Sequence, residues 1–450
     1  MASEVVSSAP PARPVFGINH VFSYGQSLAS GWEGWPALSV TPRRDSLMLG
    51  DSVRPAEENA PRWRPVGEMA LRPLAATVQD VGSGALLAPQ QVAGLALGNA
   101  SLGETVLEAA VNAWRTGIEA VPDFVANGRR LLASSCGVGG RRIEQLSKGA
   151  QPELFNRLRD CATLARQAAA THGLSYGVVA LLFLQGEHNN LGIDGGTSDR
   201  AEYKALLQRF YRDFIADIAF GIAGQTAPPA MFLHQTGGAY ATDENAIPQA
   251  QLEAALEIPG CYLAAPAYPV TSKGGHLDAN GYRWLGAQFG KVMHRVLSLG
   301  QDWKPLHPQW TALDGRRLLV HFHVPAPPLA WGRPFAGHRA VSPADQGFTV
   351  VDDTGVVPIT AVELAGASSV RITLARPPGA DAVLRYADRS RHGGRGALHD
   401  SDATISEDRY AYEPDAGHYS SADVPDLVGR PYPLNNWCVA FTQPIGPTPG

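Results

Sequence analysis

Two hydrophobic patterns alternate along the first 300 residues of the chain. Short apolar runs with few polar interruptions cover residues 15–25, 130–136, 176–184, 229–235 and 260–267. Runs of this length are typical of parallel strands buried on both faces. Between them, apolar residues recur at helical spacing over residues 104–120, 152–172, 198–222, 249–256 and 280–299. This alternation predicts a doubly wound, three-layer α/β domain with a parallel sheet over residues 15–300.

The pattern changes near residue 300. Short β-type runs separated by turn residues follow at 317–324, 347–352, 357–364, 369–374 and 382–386. Their spacing predicts a smaller all-β, sandwich-like domain over residues 301–450, which ends in an irregular polar tail.

Two segments of the first 300 residues show little periodicity. Residues 1–14 are predicted to be a flexible N-terminus, and residues 32–100 to be a long insertion after the first strand. The insertion is rich in Pro and Gly and carries Trp32, Trp35 and Trp63. Irregular segments beside a site often form its walls, and a purely structural insertion is the alternative.

Composition and charge exclude several classes of protein. The chain is 44% hydrophobic and 18% charged, which is typical of a soluble globular protein. A net charge of -5 without a Lys/Arg cluster argues against a nucleic-acid partner. The four cysteines lack the spacing of a metal site or disulfide framework. We find no signal-peptide pattern and no run near the roughly 20 apolar residues of a membrane span.

Reactive or permissive residues follow four of the predicted strands. Ser27 follows the first strand, the pair Gly139 and Gly140 the second, Gln185-Gly-Glu187 the third, and His276 lies in the loop after the last. The carboxyl ends of parallel strands share one edge of a sheet, which is where α/β folds place their ligands. We therefore expect these residues to converge, although they are some 250 residues apart in sequence.

Acyl transfer needs this set of residue types. A serine hydroxyl becomes a good nucleophile when a neutral imidazole removes its proton and a carboxylate orients that imidazole. We assign Ser27 as the nucleophile and His276 as the base. The candidate oxyanion donors are the backbone N–H of Ser27, an N–H of Gly139 or Gly140, and the side-chain amide of Gln185.

The order of these motifs resembles that of the conserved blocks of SGNH hydrolases. Residues 25–28 (Gly-Gln-Ser-Leu), 137–143, 185–187 (Gln-Gly-Glu) and 276–282 carry the resemblance, which covers residues 15–299. It is strongest to the sialate O-acetylesterase and acetylxylan esterase branch, carbohydrate esterase family six. The resemblance implies a flavodoxin-like fold and metal-free removal of acetyl or other short acyl groups from sugar hydroxyls.

Two positions depart from the family pattern. Leu28 stands where this branch usually has Asn, and Lys273 stands where many SGNH enzymes place the triad Asp, three residues before the His. A lysine cannot orient an imidazole by accepting its proton, so the acid must come from elsewhere. In the resembling branch the Glu of Gln-Gly-Glu can serve, which implies Glu187. Asp278 is the alternative acid, although we rather expect it to cap the last helix.

Other polar and aromatic residues have two interpretations each. Gln26 and His188 are candidate substrate contacts, and a surface histidine is the alternative for His188. Arg141, with Arg142, could hold an anionic substrate group or form a solvated pair. Histidines within strands, His20 and His234, are predicted to be core residues. The tail aromatics form either a sugar-stacking platform or apolar staples: Tyr410, Tyr412, Tyr419, Tyr432 and Trp437.

The sequence therefore predicts a serine esterase that removes acetyl groups from O-acetylated carbohydrate without a cofactor or metal. One alternative is an esterase or thioesterase for non-carbohydrate acyl esters. The other is a carbohydrate-binding protein that keeps a hydrolase fold without turnover. The sugar, the acetylated position and the oligomeric state stay open.

Overall fold

The computed structural model describes residues 10–119, 124 and 127–446. Its first domain is built on a sheet with strand order β3-β2-β4-β1-β5-β6-β7. The strands are β1 (Ile18–Gly25), β2 (Ser46–Leu49), β3 (Leu71–Pro73), β4 (Arg130–Ser135), β5 (Tyr176–Leu184), β6 (Ala230–Gln235) and β7 (Cys261–Pro266). Neighbouring strands pair in parallel, except β2 and β3, which are antiparallel.

Helices cover both faces of this sheet. They are α1 (Ser27–Ser30), α2 (Pro89–Ala93), α3 (Val106–Glu119), α4 (Ile143–Leu146), α5 (Asn156–Thr171), α6 (Glu187–Asn190), α7 (Arg200–Phe214), α8 (Ala246–Glu257) and α9 (Ala279–Met293). π-helical turns extend α7 over Ile215–Ala223 and α9 over His294–Ser298. Apolar residues of α3 and α9 share one core, and those of α5, α7 and α8 share a second core. The predicted three-layer α/β fold is confirmed.

The central strands explain why the sheet has two cores. All nine residues of β5 are buried, and successive side chains point to opposite faces of a strand. Ala180, Leu182 and Leu184 accordingly belong to the core with α3 and α9, whereas Leu181 and Phe183 belong to the other core. The uninterrupted apolar run of β5 is thus the result of burial on both sides.

The second domain contains two four-stranded antiparallel sheets around one core, with strand orders β14-β13-β17-β21 and β15-β16-β9-β8. The strands are β8 (His307–Asp314), β9 (Arg317–His323), β10 (Ala330–Trp331), β11 (Phe335–Ala336), β12 (Arg339–Ala340), β13 (Phe348–Asp352), β14 (Gly355–Val357), β15 (Ile359–Leu364), β16 (Ser369–Leu374), β17 (Val383–Tyr386), β18 (Leu398–His399), β19 (Ile405–Arg409), β20 (Pro431–Pro433) and β21 (Phe441–Pro444). A short helix, α10, spans Arg389–His392. The predicted sandwich-like all-β region is confirmed.

The chain ends of the described part pack onto the first domain. Ala12 is buried, and its N–H donates to the carbonyl of Pro228 at 2.7 Å, so residues 10–14 are held there, while residues 1–9 of the predicted flexible terminus lie outside the described residues. In the tail, Tyr410 and Tyr432 are buried in the core with α9, so these two aromatics act as staples. No helix among the described residues has the length and apolarity needed to cross a bilayer.

Candidate active site

The first strand delivers Ser27 to the carboxyl edge of the sheet. Gly25 has a φ of 141°, and a Cβ at this position would lie 2.0 Å from the carbonyl oxygen of Leu184 on β5. Only glycine therefore allows β1 and β5 to approach here. Ser27 begins α1 and is 7% exposed. Its N–H lies in the first helical turn, where backbone N–H groups have no intrahelical acceptor.

His276 lies at the same edge, among residues that also contact the segment of Ser27. Its ring centroid is 6.2 Å from that of Trp32 and 6.5 Å from that of Tyr240. The N–H of Trp32 donates to the carbonyl of Ser27 at 3.1 Å. Trp32 thus contacts Ser27 through its backbone and lies beside His276 through its ring.

The carboxylate that faces His276 belongs to Glu33. Its Oε1 lies 3.3 Å from Nδ1 of His276, and the two side chains are 22% and 20% exposed. A carboxylate at Nδ1 favours the tautomer whose Nε2 is free to accept a proton, which is the arrangement a general base needs. Glu33 is a residue of the insertion, and no motif in the sequence indicated it.

Glu187, which the family resemblance implied as the acid, pairs with a different histidine. Its Oε1 lies 2.7 Å from Nε2 of His234, and both side chains are buried. Burial raises the pKa of the Glu187 carboxyl, but the charge and hydrogen bond of His234 outweigh burial and hold that pKa below its usual value. These contacts give no support to an orienting role for Glu187 at His276. They place His234 in the core, as its position within a strand predicted.

Asp278, the alternative acid, caps α9. Its Oδ1 accepts hydrogen bonds from the N–H of Gly281 and the hydroxyl of Thr271, both at 2.7 Å, and its Oδ2 lies 2.7 Å from Nε2 of His338. The carboxylate is therefore occupied by the helix and the second domain, which agrees with the cap role that we expected for it.

Two of the candidate oxyanion donors are already committed to other acceptors. The N–H of Gly139 donates to Oε1 of Glu58 at 2.8 Å. The amide nitrogen of Gln185 donates to Oδ1 of Asn189 at 2.7 Å and also lies near Gln26, with 3.4 Å between Nε2 and Oε1. Among the described residues, no hydrogen bond uses the N–H of Gly140.

Gly140 therefore joins Ser27 as an available donor. It has a φ of 63°, and a Cβ there would lie 3.5 Å from Nε2 of His188, so the glycine faces the same space as this histidine. Burial lowers the pKa of the His188 imidazole. The backbone N–H of His188 donates to Oε1 of Gln26 at 3.3 Å. Arg141 donates to the carbonyls of Gly139 and Gly140, each at 3.2 Å, and so shapes the glycine turn.

The structure of this chain is similar to that of solved proteins. A carbohydrate acetylesterase from Xanthomonas citri matches 94% of this chain and 80% of its own, with a TM-score of 0.54 and 12% identity. The chain shares that protein's fold. An Arabidopsis thaliana protein (TM-score 0.39, 17% identity, 63% of this chain and 98% of its own) and an M. smegmatis aryl esterase (TM-score 0.29, 12% identity, 62% and 99%) match less closely. No family model and no curated protein matches the sequence.

This match confirms the predicted resemblance at the level of the fold. Within this fold, the insertion forms a wall of the candidate site. Trp32 donates from Nε1 to Oε1 of Glu58 at 3.1 Å, and its ring lies where a Cβ on Gly139 would be, 2.5 Å from Nε1. The same carboxylate thus holds the tryptophan and the glycine turn together.

The second domain also contributes a residue to the carboxyl edge of the parallel sheet. A small pocket beside His276 is lined by Leu28, Tyr240 and Gly275 from the first domain and by Arg395 from the second. Leu28, which departs from the family pattern, is 5% exposed and supplies an apolar wall. No periodicity or motif in the sequence indicated either Arg395 or Glu33.

Proposed function

We propose that this protein is a serine carboxylic ester hydrolase that removes acetyl groups from O-acetylated carbohydrate. The observation that carries the proposal is the contact between Glu33 and Nδ1 of His276 at the sheet edge that also holds Ser27. The shared fold and the sequence blocks support acetylated carbohydrate as the substrate.

In the proposed reaction, His276 takes the proton of Ser27 Oγ while the oxygen attacks the ester carbonyl carbon. Glu33 keeps the imidazole oriented and stabilises its protonated form. The N–H groups of Ser27 and Gly140 donate to the oxygen that becomes negative. The imidazolium then protonates the sugar oxygen as its bond to the carbonyl carbon breaks, which releases the sugar hydroxyl and leaves the acyl group on Ser27. His276 next takes a proton from water, the water oxygen attacks the acyl carbonyl carbon, and the imidazolium returns the proton to Ser27 Oγ as the carboxylic acid is released.

The nucleophile is tested by acetate release from p-nitrophenyl acetate and acetylated sugars. We expect Ser27→Ala to lower kcat at least about 10³-fold, because removal of a triad member leaves only the oxyanion donors and binding. Ser30→Ala is the matched control, since it removes a buried hydroxyl without a hydrogen-bond partner from the same helix and should keep its activity. Equal rates for Ser27→Ala and wild type would refute the assignment.

The substrate is tested with the same enzyme preparation. Turnover of acetylated sugars supports the carbohydrate assignment. Cleavage of butyryl or longer esters without action on acetylated sugars would replace it with a non-carbohydrate esterase. Sugar binding without any ester cleavage would indicate a binding protein.

A further inference from the structure

Lys273 lies on the loop that carries His276, and its ammonium group is enclosed by two aromatic rings. Nζ is 3.4 Å from the ring centroid of Trp35 and 4.4 Å from that of Tyr419. Nζ also donates to the carbonyl oxygen of Trp35 at 3.2 Å. Burial lowers the pKa of Lys273 to about 7, against the opposing effect of the Asp278 and Glu33 charges. In its protonated form the ammonium group is held by the quadrupoles of the two rings. We call the rings of Trp35 and Tyr419 the lysine cage.

Lys273, held in this cage, joins the loop that carries His276 to the segment that carries Glu33. The N–H of Lys273 donates to the carbonyl of His276 at 2.8 Å, which closes the turn that presents the imidazole. On the other side, Trp35 follows Glu33 by two residues. The lysine therefore contacts both segments whose side chains meet at His276 Nδ1.

The tail of the second domain closes the cage. Tyr419 packs edge-on against Trp35, with 5.8 Å between ring centroids, and its hydroxyl accepts from the N–H of Gly98 at 2.8 Å. Tyr419 also belongs to a small apolar cluster with Trp35, Val78 and Val92. The insertion and the tail thus hold the ammonium group from opposite sides.

Glu33 needs such support. It is a non-glycine residue with a φ of 59°, a conformation that persists only where the surroundings hold it. Its carboxylate is partly exposed, and among the described residues His276 is its one partner within salt-bridge distance. Without the cage, the segment has fewer restraints on the angle at which the carboxylate meets the imidazole.

We propose that Lys273 is a positioning residue that keeps Glu33 in contact with His276, with Trp35 and Tyr419 as the cage that holds its ammonium group. The proposal rests on the proposed function, because it assigns a role within the same site. It also gives a reason for a lysine at the position where many SGNH enzymes place the acid: the acid lies on the insertion, and the lysine fixes the insertion to the loop of the base.

A double-mutant cycle on kcat tests the coupling. We expect the single variant Lys273→Met to lower kcat about 10-fold or more and to keep KM within about twofold. The single variant Glu33→Gln should lower kcat more than Lys273→Met does. If the lysine acts through Glu33, adding Lys273→Met to Glu33→Gln should change kcat less than about twofold. A double variant whose loss equals the product of the two single losses would overturn the proposal, and so would a Lys273→Met enzyme with wild-type kcat.

Variants of the cage separate positioning from a general loss of packing. Lys273→Arg keeps the cation and should retain most of kcat, and Tyr419→Phe keeps the ring and should do the same. Tyr419→Leu should behave like Lys273→Met, and it provides the test if Lys273→Met fails to fold. A kcat for Tyr419→Leu equal to that of Tyr419→Phe would overturn the role of the cage.

Lys291→Met is the matched control for removing a buried amine. Lys291 lies on α9 and pairs with Asp402 at 2.9 Å, away from the loop of the base. This variant should lose thermal stability and keep kcat. A failure of this proposal can be told apart from a failure of the proposed function. Wild-type turnover by Ser27→Ala would refute Ser27 as the nucleophile. Additive losses in the Lys273→Met and Glu33→Gln cycle would refute only the role of Lys273.

Discussion

Glu33 is a residue in a strained backbone conformation whose carboxylate contacts His276. Its left-handed backbone conformation turns the side chain toward His276, and its N–H donates to the carbonyl of Ser101 at 3.1 Å. A non-glycine residue in this region costs on the order of 1 kcal/mol or more. By contrast, Glu187 is fully buried against His234, in a pair that holds the end of β5 to the end of β6. The Glu33 carboxylate is partly exposed and faces His276, whereas Glu187 is buried, pairs with His234 and lines the pocket that also contains Tyr240.

The two carboxylates should respond differently to substitution. We expect Glu33→Gln to lower kcat by about 10²- to 10⁴-fold with little loss of stability, since an amide cannot stabilise the imidazolium as a carboxylate does. Glu187→Gln should cost about 1–3 kcal/mol of stability, because it weakens a buried charged hydrogen bond, and should change kcat only a few-fold. Steady-state kinetics and urea unfolding of both variants provide the test. A large kcat loss for Glu187→Gln with no effect of Glu33→Gln would restore the family's assignment.

At the scale of elements, α3 begins with two buried carboxylates. Glu104 precedes the helix and accepts hydrogen bonds from the N–H groups of Leu38 and Ser39 at 2.8 and 2.9 Å, so it ties the insertion to the helix. Glu108 lies in the first turn and accepts from the hydroxyl of Thr105. Burial, with the charge of Glu104 added, raises the pKa of Glu108 to about 7. The carboxyl group of Glu108 therefore binds its proton more tightly in the folded chain than in the unfolded chain.

This predicts a pH-dependent stability at α3. Because the folded pKa of Glu108 is raised, the native state binds more protons than the unfolded state between the usual carboxyl pKa and about pH 7. Its contribution is present at low pH and is lost as the pH rises through about 7. Glu108→Gln should therefore match wild type near pH 5 and be relatively more stable near pH 8 in urea unfolding. Glu119→Gln, at the exposed end of the same helix, is the control; a constant difference between Glu108→Gln and wild type at all pH values would contradict the prediction.

The elements also show what can be predicted from the sequence. β5 is a continuous apolar run because it is buried on two faces, and α5 shows helical periodicity because it is buried on one face; both are where the pattern placed them. β2 and β3 have four and three residues, too few for a period to stand out, yet they extend the sheet. Glu33 and Arg395 lie in irregular segments, where long-range contacts alone decide which groups meet. Periodicity therefore predicts the scaffold and the strand ends, while the acid depends on how the insertion folds back.

At the scale of the whole molecule, the two domains are joined by buried contacts. The side-chain amide of Gln235, at the end of β6, donates to the carbonyl of Ala440 at 2.9 Å and accepts from its N–H at 2.7 Å. Trp284 of α9 stacks on Tyr432 with ring centroids 5.5 Å apart and meets Phe335 at 6.0 Å. Apolar residues from both domains thus lie in one core.

We expect the two domains to unfold together. Thermal unfolding followed by far-ultraviolet circular dichroism and by tryptophan fluorescence should give one coincident transition, because neither domain can expose this shared core without cost to the other. Trp284→Ala should lower the midpoint seen by both probes equally. Two transitions, or a shift in one probe alone, would show that the domains are independent.

The position of Glu33 has a consequence for how this site is inherited. The proposed nucleophile and the proposed acid lie six residues apart on one short segment, whereas the proposed base is about 250 residues away. In homologues that keep this arrangement, the interval from Ser27 to Glu33 should be conserved in length, because both ends carry chemistry. The turn before His276 is released from the spacing that a triad aspartate would impose, and it is free to drift as long as a cation occupies the lysine cage. A motif search that demands an aspartate three residues before the histidine would pass over every such protein.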